Sequence, residues 1–258
     1  MKKDTGFWAQ FLPHYLRAKA MHKEMEQRAA TLRTLDFTAE AFQRAQAFLP
    51  KLRSGDRPSI AFVVFAPDAR GYDPVVIDIL FKNQREEFLD LVAHEFHHWY
   101  RARMAPDLTR DQDILWVIEQ TQLEGIADLI NIPAQMRKPA ESLSASEKRY
   151  LDFYRKSPEI LRTMDALLAD MQEDPGNRRE LGIKLKASVP LSGHPTGFHM
   201  AETIVAELGK DALISTVSNP FAFFALYHEA AKKKAGEAPL LSEKSLALLG
   251  SLEKRYKD

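Results

Sequence analysis

The chain of 258 residues contains no cysteine. That excludes a disulfide framework and any thiolate metal site, so a metal ion could be held only by His, Asp or Glu. It also lacks net charge, with 36 Lys and Arg against 36 Asp and Glu. A protein that works on nucleic acid or on an anionic membrane needs a basic excess or patch, so neither partner is expected. No stretch approaches the roughly 18–20 apolar residues of a membrane span. The N-terminal segment has Lys2 and Lys3, but Asp4, Gln10, Pro13 and His14 interrupt it. It has no apolar core of signal-peptide length, and a cytoplasmic location is expected, with a periplasmic or secreted one as the alternative.

What remains is a soluble, globular composition: 45% hydrophobic and 28% charged residues. The length suits one domain built from two lobes, here expected at about 1–105 and 106–258. Most of the sequence has helical apolar spacing, predicting helices over 7–33 with a break near Pro13, and over 38–49, 84–104, 111–131, 145–156, 158–172, 197–208, 220–235 and 242–255. Thr38, Asn83 and Thr109 read as helix starts. Asn219-Pro220 places a cap residue before a proline at the first helical position, and Gly209 and Gly236 read as stops. RKPAESLSAS (137–146) and EDPGNRRE (173–180) read as loops. SIAFVVF (59–65) and PVVIDILF (74–81) are rich in Val, Ile and Phe and predict a strand pair, read as a hairpin with a long loop. The fold class expected is predominantly helical α+β, with the strands in the N-terminal lobe and a helical C-terminal lobe.

The chemistry concentrates at HEFHH, residues 94–98. Positions four apart share one helix face, so His94 and His98 can aim two imidazoles at one ion. Glu95 is placed to reach a water on that ion and act as general base. Chance would produce H-E-x-x-H in roughly 2% of shuffled sequences of this composition. The surroundings argue against coincidence. Phe88, Leu89, Leu91, Val92, Ala93, Phe96, Trp99 and Tyr100 wrap the helix in apolar side chains, which predicts burial. Two buried imidazoles and a carboxylate need partners, and a metal is one. His97 points about 100° away from His98 and is expected to pack or to act behind the ligands.

The next helix carries a polar stripe: Thr121, Glu124, Asp128 and Asn131. Glu124 is the expected third ligand, and Asp128, one turn on, the acceptor for the free N–H of a ligand histidine. Gly125 would let the two helices approach closely. The bland alternatives are a salt bridge from Glu124 to Arg101 or Arg103, and Asp128 as a surface acid.

HEFHH followed by LEGIADL resembles the gluzincin group of zinc metallopeptidases, the thermolysin-like zincins, over about residues 83–131. The resemblance implies a zincin-like fold, Zn2+ held by His94, His98 and Glu124, Glu95 as base, and Asp128 as orienting residue. The metzincin pattern is absent, since no histidine falls between His98 and His194. The stretch 193–231 resembles a bacterial family of zinc-dependent peptidases of otherwise uncharacterised function. Zincins commonly place an edge strand before the motif helix for an extended substrate; PVVIDILF could serve in that way, or both strands could simply pack on the helices. They also add a donor for the carbonyl oxygen. His194 in the glycine-rich loop SGHPTG, His199 on the first turn of a helix, and Tyr227 are the candidates. The expected partner is a peptide or protein substrate. The rivals are a zinc-holding module without turnover, a zinc hydrolase of a small non-peptide substrate, and a helical domain with no metal.

Overall fold

The computed structural model describes residues 5–34, 36–51, 57–81, 84–105, 113–234 and 236–257. The expected starts at Asn83 and Thr109 lie outside the described residues. The chain divides into two compact units. One comprises 1–47 with 51–100, the other 48–50 with 101–258.

The first unit opens with α1 (Thr5–Ala20), α2 (His22–Thr34) and α3 (Phe37–Gln46). Pro13 lies inside α1, and the break falls at Met21 instead, about two turns further on. Asp36, not Thr38, precedes the first helical residue of α3. Among the described residues, three short strands form one sheet in the order β1-β3-β2: β1 (Ile60–Val63), β2 (Ala69–Arg70) and β3 (Val75–Asp78).

The sheet corrects one expectation and decides an open alternative. β1 and β3 are parallel, with Ile60 opposite Val75, so they are not a hairpin. The segment between them runs back as β2, which pairs antiparallel with the other side of β3. Apolar alternation identifies a strand but not the direction of its neighbour. β3 is therefore central, and the sheet edges are β1 and β2, so PVVIDILF does not offer a free edge to a substrate. Val75 and Ile77 are fully buried. So is Asp78, whose Oδ2 accepts from His14 Nε2 at 2.8 Å and from the Phe65 N–H at 2.9 Å, while Oδ1 accepts from the Leu80 N–H at 2.9 Å.

After the sheet comes α4 (Arg85–Arg101), whose last residue belongs to the second unit. Phe88 packs with Phe37 and Phe62, ring centroids 5.2 and 6.2 Å apart. On the helix's other flank, Arg44 of α3 bonds Glu86 and Asp90.

The second unit is helical: α5 (Asp113–Asp128), α6 (Ile132–Met136), α7 (Ala145–Arg155), α8 (Ser157–Glu173), α9 (Arg178–Ser188), α10 (His194–Leu208), α11 (Lys210–Ile214), α12 (Pro220–Lys233) and α13 (Glu243–Lys257). Phe198, Met200, Ala201 and Ile204 make α10 apolar on most sides, which suits a central helix. It packs most extensively on α5, and also on α7, α8 and α12. The Asn219 side chain accepts the Ala222 N–H at 3.1 Å, capping α12 as its Asn-Pro start predicts. Gly209 and Gly236 take φ of 89° and 92° after α10 and α12. Two departures stand out. α9 occupies part of the segment read as loop, and α10 starts at His194, three residues earlier than its pattern suggests. No described helix is long and apolar enough to cross a membrane.

Candidate metal centre

In the first unit, α4 is buried almost all round, as its apolar wrap predicts: Leu89, Val92, Ala93 and Phe96 are all at most 1% exposed. His94 and Glu95 are each 6% exposed, and His97 is fully enclosed. The Nε2 atoms of His94 and His98 lie 2.9 Å apart, with rings perpendicular and centroids 4.5 Å apart. Two nitrogen ligands of a tetrahedral zinc ion sit about 3.3 Å apart, given Zn–N bonds of about 2.0–2.1 Å. Small ring rotations separate the observed pair from that spacing, so the two imidazoles fit a shared ion. Gly71, just after β2, presses on the same turn of α4. A Cβ there would lie 2.5 Å from His98 Cβ and 3.0 Å from the Glu95 carbonyl oxygen. No feature of the sequence around Gly71 pointed to this contact.

In the second unit, α5 carries Glu124 and Asp128 on one face, one turn apart. Asp128 is 2% exposed, which rules out the reading as a surface acid. Its Oδ2 accepts from the Tyr150 hydroxyl at 2.7 Å. Both of its oxygens also face His194 Nδ1, at 3.1 and 3.2 Å. The other ring nitrogen, His194 Nε2, lies 3.2 Å from Glu124 Oε2. Burial first, and then the Asp128 charge, push the Tyr150 hydroxyl well above its ordinary pKa, so it stays a donor. Arg101 instead bonds Glu119 and Gln122, and Gln122 donates to the carbonyls of Thr216 and Val217 at 2.7 and 2.9 Å. Arg101's guanidinium is thus engaged away from Glu124.

The backbone before His194 is unusual. Leu191 and Ser192 have φ of 49° and 54°, left-handed values that side chains with a Cβ adopt at a cost, and Gly193 follows at 91°. Gly193 sits against α5, where a Cβ would lie 2.9 Å from Thr121 Cα. Four residues on, a Cβ on Gly197 would lie 1.9 Å from the Thr121 carbonyl oxygen. A Cβ on Gly125 would meet the Gly197 backbone at 2.2 Å. The close approach expected at Gly125 is thus made with α10. His194 is the first residue of that helix, not a loop residue, and stands beside Glu124 and Asp128.

The other candidates sit elsewhere. Tyr227 is fully buried and its hydroxyl donates to the Pro239 carbonyl at 2.9 Å. That bond occupies its proton inside the core, which corrects its reading as an oxyanion donor. His199 is half-buried on the second turn of α10, its ring 5.9 Å from that of Tyr154. Its Nε2 is enclosed and finds no hydrogen-bond partner among the described residues. Burial, with a smaller push from Lys234, lowers its pKa to about 4, so its imidazole is neutral at ordinary pH. Tyr150 went unsuspected in the sequence, because nothing local to SEKRYLDFY ties it to an acid 22 residues earlier.

The sequence profile of one protein family, described as "Putative zinc dependent peptidase (DUF5700)", matches residues 4–236. No curated protein and no solved structure matches the chain.

Proposed function

The chain belongs to this family and its cofactor is zinc; from that premise we propose that it is a gluzincin-type metallohydrolase that cleaves peptide bonds. His94 and His98 of α4 and Glu124 of α5 hold the ion in this reading. When bound, zinc polarises the scissile carbonyl and lowers the pKa of water to about 7. Glu95, next to His94 and shielded from solvent, takes the proton of the attacking water and hands it to the leaving amine. Asp128 orients a histidine by accepting its Nδ1–H.

The observation that carries this reading is the His94–His98 pair. Two imidazoles converge through Nε2 on one face of a buried helix, with a carboxylate in the adjoining position. A zinc-holding module without turnover has no need of an acid placed to take a proton from water. Elemental analysis tests the proposal. Wild type and Glu95→Gln each carry about one zinc per chain, and His98→Ala carries none. Glu95→Gln loses roughly 100-fold or more in hydrolysis of a protein substrate. A wild-type protein that takes up no zinc when supplied with it ends the metallohydrolase reading.

A further inference from the structure

We propose that His194 is itself a zinc ligand, presenting its Nε2 beside Glu124 of the same unit. This rests on the zinc site proposed above and adds to it a residue of the second unit.

The argument starts from the two nitrogens of the ring. A carboxylate can only accept, so His194 Nδ1, facing both Asp128 oxygens at 3.1 and 3.2 Å, carries the proton. The Tyr150 hydroxyl holds Asp128 from the other side at 2.7 Å. A histidine whose Nδ1–H is anchored on a buried, hydrogen-bonded carboxylate is set up to present its Nε2 lone pair to a metal. That Nε2 lies 3.2 Å from Glu124 Oε2. A nitrogen and an oxygen on one tetrahedral zinc ion are spaced about 3.3–3.5 Å. The observed 3.2 Å lets both atoms face one ion after a small ring rotation.

The backbone commits His194 to this place. Leu191, Ser192 and Gly193 all turn left-handed immediately before it. Gly193 and Gly197 then lie directly on Thr121, one turn before Glu124. Left-handed conformations at two non-glycine residues persist only where the surroundings over-determine them. Here the surroundings bring the first turn of α10 onto the ligand face of α5.

The test compares wild type with His194→Ala and His194→Gln. The Gln variant keeps a polar side chain of similar length, so the test stands even if Ala disturbs folding. Zinc is competed against a chelator, and the cobalt-substituted proteins are examined by visible absorption. The expected result is that folded variants still bind one metal ion but yield it roughly 10- to 100-fold more readily. Their cobalt bands also weaken and shift as solvent replaces the ring. Tyr150→Phe, which leaves every ligand in place, gives a smaller loss of affinity and an unchanged band pattern. Unchanged affinity and an unchanged cobalt spectrum in folded His194→Gln overturn the inference while leaving the zinc site standing. Failure of wild type to bind metal removes the zinc site itself, and the inference with it.

Discussion

At Gly71 a single methyl group would report on the motif helix. The Cβ of an alanine there would sit 2.5 Å from His98 Cβ, far inside van der Waals contact. Either the segment after β2 or the His98 turn must shift. Gly71→Ala is expected to weaken zinc retention roughly 10-fold in chelator competition, with the far-ultraviolet circular dichroism unchanged. Such residue-scale dependence was only partly legible beforehand. His94, Glu95 and His98 are visible because a helix repeats itself within four residues. The partners of Asp128 are not, since His194 lies 66 residues away and only the packed chain joins them. Tyr227 shows the same. Its sequence neighbourhood does not reveal that its hydroxyl is spent on a backbone carbonyl inside the core.

Helices are the elements whose interfaces can be tested most cleanly, because α5 and α10 meet backbone to backbone. A Cβ at Gly197 has nowhere to go, and Gly197→Ala is expected to cost about 3 kcal/mol or more, read from the urea midpoint. Gly250, inside α13, faces open space. There the same substitution removes a poor helix former without a clash and is expected to raise stability by up to about 1 kcal/mol. The pair separates glycine needed for close approach from glycine merely tolerated. Helix identity was the most legible part of this fold. The apolar wrap of α4 and the proline-capped start of α12 both carry local signals. α9 was missed because Pro175-Gly176 and the charged run that follows look like loop. The sheet was misread because a two-residue strand such as β2 leaves no periodicity to detect.

For the molecule as a whole, His199 ties stability to pH. Its ring has an ordinary pKa of 6.5 in the unfolded chain and about 4 in the fold, lowered by burial and secondarily by Lys234. Between those values the unfolded state binds more protons, so stability falls as pH drops through 6.5 and levels off below about 4. With partial exposure discounted, the loss by pH 4.5 is expected to be about 2 kcal/mol. His199→Gln removes that part of the slope, which urea titrations at pH 7 and 4.5 would reveal. The division of the chain has a separate consequence, for synthesis on the ribosome. The first unit's residues end at Tyr100, but its sequence is interrupted by Phe48–Pro50, which belong to the second. Phe48 takes the Lys210 ammonium over its ring, at 4.7 Å. Lys210 is translated about 160 residues later, a delay of roughly 10–30 s at ordinary elongation rates. Throughout that interval the Phe48 ring waits for its Lys210 contact, while the stretches on both sides of 48–50 are already synthesised.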